Sequence, residues 1–326
     1  MNNFMEDLRS DRRSGHVSTQ TMVLEKFSGD SLPVLTMFKN YVDVIKIGWG
    51  IPLMMDRKDL ERVVSSYNNL GISVSNGGTL LEIADEKNKS LDAVRSLKKI
   101  GFTTVEISEG VRDMKESVKK QIAELVKSEG MKLHFEVGRK NPKRQLTLDE
   151  TVDRINRALD YDPDTVIIEG RESGMDVEIY DERGEIRWDW VERIMKSDGK
   201  DRIMFEAPLE RQQTALILHL GSNVRLGNVS PWSVAALESQ RLGLRGDTFG
   251  MVRPKPISFD GSPAMKFVLH VLENGGPMDQ SALMAVTGMN RRTVQMALQS
   301  LLENDMVSFE PDIRDLRRKI YRVAGE

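Results

Sequence analysis

Four glutamates are the residues in this sequence that most clearly point to chemistry. Each one ends a short run of β-branched and other apolar residues, which is typical of a buried strand. They are Glu106, Glu136, Glu169 and Glu206. Carboxylates that are brought together repel one another and lose hydration, so a cluster needs compensating charge. Because hard divalent cations prefer oxygen ligands, the four glutamates predict a Mg²⁺ site.

Positive side chains and small residues follow the same runs. The cations are Lys46, Lys140, Arg171 and Arg245. Ammonium and guanidinium groups suit a small substrate that carries phosphate or carboxylate. The pair Gly77–Gly78 would let backbone amides approach an anion closely. We therefore expect a small, negatively charged substrate beside the metal.

Eight short apolar segments must position these side chains. The segments alternate with amphipathic helical patterns between about residues 20 and 250. The predicted strands are Thr21–Leu24, Val44–Ile47, Ile72–Ser75, Thr104–Ile107, Leu133–Val137, Val166–Glu169, Ile203–Glu206 and Val224–Leu226. This count fits a (βα)8 TIM barrel of about 250 residues, or an open doubly wound sheet. The first run lacks a following G-x-G-x-x-G, which favours the barrel. In a barrel all strand ends meet at one rim.

The pattern changes after Gly250. Residues 253–263 contain three prolines and predict a linker between a barrel domain at 1–252 and a second domain at 264–326. The second domain is predicted as three helices and a β-hairpin, the layout of a winged helix-turn-helix. The predicted elements are Ala264–Glu273, Asp279–Thr287, Arg291–Asn304, Met306–Phe309 and Lys319–Val323.

Such a domain can bind DNA or mediate association. Its third helix would present Arg291, Arg292 and Gln295, and its hairpin would present Arg317 and Arg318. A helix of this kind fits the major groove, and basic hairpin residues fit phosphates. Residues 254–326 nevertheless balance nine basic against nine acidic side chains. Both interpretations therefore stay open.

Composition excludes several classes of protein. The chain has 326 residues, a formal charge of −3 and no cysteine, so disulfides and thiolate-ligated metals are excluded. The chain lacks an uncharged apolar run near the roughly 18 residues of a membrane helix. We expect a cytoplasmic protein without membrane contact.

Seven motifs make the first 250 residues recognisable. They are KIGWG (46–50), NGGTLLE (76–82), VEISEG (105–110), FEVGRKNP (135–142), VIIEGRESG (166–174), FEAPLERQQ (205–213) and LRGDTFG (244–250). The chain from about 20 to 250 resembles the phosphosulfolactate synthase family of coenzyme M biosynthesis. The resemblance implies a (βα)8 barrel, dependence on Mg²⁺ and addition of sulfite to phosphoenolpyruvate, giving (R)-2-phospho-3-sulfolactate. Barrels of this type commonly associate, so we expect a homo-oligomer.

The resemblance also suggests roles for single residues. Sulfite would attack the methylene carbon, and a lysine would protonate the adjacent carbon; Lys140 is our first candidate and Lys46 the second. A Mg²⁺ ion held by the four glutamates would stabilise the negative charge that develops on the carboxylate side of the substrate. The expected substrate-binding residues are Arg171, Arg245, Gly77, Gly78 and Lys26.

Three positions depart from the family pattern. Glu25, Ile51 and Phe135 stand where the family usually has other, mostly small or polar, residues. These departures support an alternative function, in which a divergent barrel senses an anionic ligand and controls a DNA-binding winged helix. Turnover of sulfite and phosphoenolpyruvate would separate the two.

Overall fold

The computed structural model describes residues 21–251, 261–304, 306–312 and 315–323. Those up to Met251 belong to one compact unit and those from Gly261 onward to another. Residues 1–20 of the predicted barrel domain, and the predicted linker up to 260, lie outside the described residues.

The first unit is a closed barrel of eight parallel strands in sequence order, as predicted. Its strands are β1 (Thr21–Glu25), β2 (Val44–Ile47), β3 (Ser73–Ser75), β4 (Thr104–Ser108), β5 (Lys132–Val137), β6 (Thr165–Ile168), β7 (Ile203–Glu206) and β8 (Arg225–Val229). Pairing of Thr21 with Leu226 closes the barrel between β1 and β8.

Helices follow the strands and form the outer layer. They are α1 (Leu32–Met37), α2 (Arg57–Asn69), α3 (Thr79–Glu86), α4 (Ser90–Ile100), α5 (Glu116–Ser128), α6 (Leu148–Leu159), α7 (Trp188–Ile194), α8 (Glu210–Leu220) and α9 (Val234–Arg241). Short 3-10 turns cover Lys39–Tyr41, Ile51–Leu53, Pro142–Arg144, Lys200–Arg202 and Pro231–Ser233. The helices bury one apolar face each, as in α5, where Ile122 and Val126 are fully buried.

Successive side chains of each strand point alternately into and out of the barrel, so the register of a strand determines which of them lie inside. The interior holds a separate apolar cluster of Met22, Val44, Ile167 and Met204. Three of these stand two residues before Lys46, Glu169 and Glu206, as the register of each strand requires. Lys46, Glu169 and Glu206 therefore lie one layer above this apolar cluster, toward the carboxyl ends of the strands.

The connection between β6 and α7 is long and has a small core of its own. Val177, Ile179 and Tyr180 are buried, and Tyr180 pairs with Val177 and Ile186 as isolated bridges. The Tyr180 hydroxyl donates a hydrogen bond of 2.7 Å to the carbonyl of Glu206. This segment, the β6–α7 loop, is thus fixed to the end of β7.

The second unit contains three helices and a three-stranded antiparallel sheet. Its elements are α10 (Pro263–Gly275), β9 (Met278–Asp279), α11 (Gln280–Thr287), α12 (Arg291–Glu303), β10 (Val307–Asp312) and β11 (Asp315–Val323). The sheet order is β10-β11-β9. The predicted helices and hairpin are present, and β9 is an additional strand that the sequence did not suggest. Assignment of this unit to the winged helix-turn-helix class stays a prediction.

Within the described residues, no helix combines the length and the apolar character that crossing a membrane requires.

Candidate active site

Lys46 occupies the centre of the buried polar layer. Its Nζ lies 2.7 Å from Glu136, 2.9 Å from Glu106 and 3.0 Å from Glu206. The three carboxylates come from β4, β5 and β7, so the barrel itself brings them together. The predicted convergence of the strand-end glutamates is therefore present in the structure.

Three glutamates could hold a metal ion. Oxygens of Glu136, Glu169 and Glu206 all lie within 4.8 Å of one another, and all three residues are buried. Glu169 Oε2 accepts no hydrogen bond, and Lys140 Nζ lies 3.9 Å from it. A buried carboxylate oxygen without a donor costs free energy unless a cation meets it. We call these three residues the acidic triad.

Glu106 is the one predicted metal ligand that the structure leaves outside the triad. Its Oε1 accepts a 2.7 Å hydrogen bond from the Gly78 amide and lies 2.9 Å from Lys46. This carboxylate is therefore directed toward the ends of β2 and β3. The Oε2 atom of Glu106 is also buried without a hydrogen-bond partner. The predicted role of Glu106 as a fourth metal ligand stays a prediction.

Lys140 lies on the other side of the triad, just beyond β5. Its Nζ is 3.1 Å from Glu136 Oε1 and donates to Thr79 Oγ1 at 3.2 Å. The side chain is 31% exposed, against 7% for Lys46. Lys140 thus has access to the rim, whereas Lys46 is enclosed.

Burial and charge shift the pKa of every member of this layer. Burial raises the pKa of Glu169, Glu206 and Glu106, the last to about 7. Burial also acts on Glu136, but Lys140 and Lys46 outweigh it and hold that pKa well below its ordinary value. Two ammonium groups facing four carboxylates leave an excess of negative charge, which protons or a cation must compensate.

The pKa values of the two lysines shift the other way. Burial acts to lower the pKa of Lys46, but the carboxylates of Glu106 and Glu136 outweigh it and raise that pKa. The pKa of Lys140 is likewise raised by Glu136 and Glu169 against the effect of burial. Both side chains therefore carry a proton at neutral pH.

Strained backbone marks the same rim. Phe27, Trp49, Arg171 and Asn228 have φ between 52° and 56° although none is glycine. Each of the first three follows a strand, and Asn228 lies in β8 near its end. Such left-handed residues cost about 1–3 kcal/mol each and concentrate at functional sites. Their position agrees with an active site at this end of the barrel.

Arg171 is the predicted anion-binding residue that the structure brings to the triad. Its amide donates to Glu169 Oε1 at 2.8 Å, and its carbonyl accepts from Asn228 at 3.5 Å. The guanidinium Nε is buried without a hydrogen-bond partner. An unsatisfied buried donor next to the triad is suited to an anionic ligand.

Two other predicted cations lie at the rim but outside the triad. Lys26 Nζ sits 4.8 Å from the ring centre of Trp49. Arg245 pairs with Glu210 at 3.1 Å and with Asp247 at 2.9 Å. Their contribution to substrate binding stays a prediction.

The paired glycines serve packing more clearly than anion binding. A Cβ on Gly77 would lie 2.8 Å from the Gly48 Cα, and one on Gly78 would lie 2.2 Å from the Ser108 Cβ. The Gly78 amide already donates to Glu106. Binding of a substrate anion by Gly77 and Gly78 stays a prediction.

The three departures from the family pattern are not members of the triad. Phe135 points out of the barrel and stacks on Tyr161, with ring centres 5.2 Å apart. Glu25 accepts hydrogen bonds from Ser31 and, at 2.9 Å, from the Tyr67 hydroxyl. Ile51 is half-buried in a 3-10 turn. These substitutions leave the acidic layer complete.

Sequence reasoning missed Gln212, which holds the β6–α7 loop. Its Nε2 donates to the carbonyls of Gly174 at 2.7 Å and Gly184 at 3.0 Å. The side chain is 1% exposed. Its position within FEAPLERQQ, six residues after the strand-end Glu206, is the feature that could have identified it.

In the second unit, Arg291, Arg292 and Gln295 are exposed on α12, as predicted. Arg318 is exposed on β11 and lies 3.5 Å from Asp279. Arg317 is in the same strand, and its side chain lies outside the described part of the structure.

A closed (βα)8 barrel with a buried acidic triad, two lysines and a strained rim defines a barrel enzyme whose active site lies at the carboxyl ends of its strands. The sequence pattern of the (2R)-phospho-3-sulfolactate synthase (ComA) family matches residues 11–247. The chain belongs to this family of lyases.

Three similar proteins carry the name of the same family. The phosphosulfolactate synthase of Methanocaldococcus jannaschii is 39% identical over 239 residues, which are 71% of this chain and 94% of that protein. That of Methanothermobacter thermautotrophicus is 38% identical over 236 residues, 71% and 92% of the two chains. That of Bacillus subtilis is 34% identical over 213 residues, 64% and 83% of the two chains.

Proposed function

We propose that the barrel adds sulfite to phosphoenolpyruvate in a Mg²⁺-dependent reaction that gives (R)-2-phospho-3-sulfolactate. The observation that carries this proposal is the convergence of the acidic triad with Lys140 and Arg171 at one rim. The names of the three relatives support the reaction. A dianionic substrate and an anionic nucleophile both need the positive groups that this rim provides.

The acidic triad fits a magnesium ion by its donor chemistry. Its oxygens are hard ligands, and Glu169 Oε2 is buried without a donor. When bound there, Mg²⁺ would act as a Lewis acid toward the substrate carboxylate. Glu106 and Lys46 would then form the floor of the site and fix the orientation of Glu136 and Glu206.

Lys140 is the group that we assign to the proton transfer. A lone pair of sulfite sulfur forms the bond to the methylene carbon, and the electrons of the carbon–carbon double bond move toward the carboxylate. The adjacent carbon then takes a proton from Lys140 Nζ, which recovers it from solvent. Its exposure of 31% favours Lys140 over the enclosed Lys46 for this exchange.

Arg171 would hold the phosphate or the sulfite. Its left-handed backbone places its amide against Glu169, and a guanidinium recognises tetrahedral oxyanions through paired hydrogen bonds. The β6–α7 loop, fixed by Tyr180 and Gln212, keeps Arg171 in this place.

Sulfite-dependent consumption of phosphoenolpyruvate with Mg²⁺ tests the proposal. We expect turnover by the unaltered chain and a loss of at least about 100-fold in Glu169→Gln and Lys140→Met. Arg171→Ala should raise KM for the anion that it binds. Arg57→Ala, at an exposed ion pair on α2, is the matched control. Absence of turnover in the unaltered chain, or full activity in Glu169→Gln, would contradict the proposal.

The second candidate function is a ligand sensor that controls the second unit. The unit itself favours this alternative, since residues beyond 247 lie outside the family match. A sensor would bind phosphoenolpyruvate without consuming it. Calorimetric binding together with absent turnover would favour the sensor, and turnover would favour the lyase.

A further inference from the structure

The helix pair α11–α12 carries no acidic side chain before Glu303, the last residue of α12. From Gln280 to Leu302 the sequence contains no aspartate or glutamate, although the whole chain has 50 acidic residues among 326. Arg291 and Arg292 lie in this stretch. Residues 254–326 are neutral as a whole, but the stretch from Gln280 to Leu302 carries a net positive charge.

Helix α12 has two distinct faces. The buried face packs against α10 and α11 and consists of Val294, Ala297, Leu298 and Leu301. The opposite face is exposed and consists of Arg291, Arg292, Gln295, Met296 and Gln299. Within the part of the chain that the structure describes, neither arginine has a carboxylate partner. Both guanidinium groups are thus available to an anionic partner.

The turn before α12 holds this face in a defined orientation. Helix α11 ends at Thr287 and is capped by Gly288, whose φ of 68° only glycine adopts readily. Asn290 then caps α12 and accepts hydrogen bonds from the amide and the hydroxyl of Thr293. A three-residue connection between two packed helices fixes the direction of α12 relative to α11. The arginines stand at its first turn.

The size and chemistry of this face match the major groove of DNA. The groove is about 12 Å wide and admits a single α-helix. Arginine pairs with guanine and glutamine with adenine, while an apolar group such as Met296 can contact the methyl group of thymine. Residues at the start of such a helix are the ones that reach base edges.

We propose that the second unit binds duplex DNA through the exposed face of α12, with Arg291, Arg292 and Gln295 in the major groove. This inference does not depend on the reaction of the barrel. The hairpin contributes less, because Arg318 lies beside Asp279 and Lys319 stacks over Phe309 at 3.8 Å. The proposal rests on the two exposed arginines in the first turn of α12 and on the lack of acidic residues between Gln280 and Leu302.

Fluorescence anisotropy of the full-length protein with 30-base-pair duplexes of random sequence tests the proposal, followed by selection of the sequences retained. We expect binding that weakens as salt rises from 50 to 200 mM, and enrichment of a preferred sequence. The double variant Arg291→Ala/Arg292→Ala should lose at least about tenfold in affinity. The control is Arg57→Ala/Arg62→Ala, which removes two exposed arginines from α2 of the barrel unit. Circular dichroism checks that both variants fold.

Three results would overturn the proposal. The first is no binding of duplex at 50 mM salt. The second is equal affinity of the α12 double variant and the parent chain. The third is self-association through α12, seen in sedimentation and abolished by the same double variant, without any binding of DNA.

Discussion

The ammonium of Lys46 lies 2.7 Å from Glu136 Oε2 inside the barrel, where the lysine side chain is only 7% exposed. Lys46→Met keeps the length of the side chain and removes its charge. Because breaking a buried ion pair leaves carboxylates without compensation, we expect a loss of about 3–5 kcal/mol in the free energy of unfolding. Urea denaturation measures this loss.

A second substitution separates charge from packing at this position. Since Glu106 faces Lys46 and lies outside the triad, Lys46→Met/Glu106→Gln should be more stable than Lys46→Met alone. A double variant that is no more stable than the single one would show that charge is not the cause.

Substitution of Glu169, a member of the triad, should weaken metal binding more than substitution of Glu106. Glu169→Gln removes a ligand oxygen of the triad, so we expect at least about tenfold weaker binding of Mg²⁺ or Mn²⁺ by calorimetry. Glu106→Gln is the matched control, because this glutamate accepts from the Gly78 amide and lies outside the triad. Equal losses in the two variants would support the four-ligand site that the sequence suggested.

Glu106 and Glu169 also show which features of the site can be predicted from the sequence and which cannot. Strand positions, the barrel and the meeting of the glutamates follow from residue types and from the rule that parallel strands end at one rim. The amide that each glutamate accepts depends on the local backbone: Gly78, packed tightly against Ser108, donates to Glu106, whereas Arg171 donates to Glu169. Contacts between distant segments of this kind have no counterpart in local sequence patterns. The same reason explains why the role of Gln212, a contact between α8 and a loop, was missed.

Gln212 should act on the reaction by positioning the β6–α7 loop. Gln212→Leu keeps a buried side chain but removes both hydrogen bonds to the loop carbonyls. We expect faster amide hydrogen exchange in residues 170–187 and a lower kcat, since Glu169 and Arg171 adjoin this segment. Thr214→Ala is the control, since this half-buried residue of α8 donates only to the Glu210 carbonyl of its own helix. Reduced activity with unchanged exchange in the loop would contradict a positioning role.

His134 should make the barrel sensitive to acid. Its imidazole lies inside the barrel without a hydrogen-bond partner, and burial, reinforced by Lys132, Lys46 and Arg225, lowers its pKa from 6.5 to about 3. Between these two values the unfolded chain binds a proton that the folded chain does not. The folded state therefore loses stability as pH falls from about 6.5 toward 3, by about 2 kcal/mol at pH 5.

His134→Leu removes this contribution of the imidazole. The free energy of unfolding, measured by urea denaturation, should therefore differ less between pH 7 and pH 5 in the variant than in the parent. His219→Leu, at a more exposed histidine on α8, should retain the full difference. Parallel behaviour of the parent and His134→Leu would show that other groups cause the acid sensitivity.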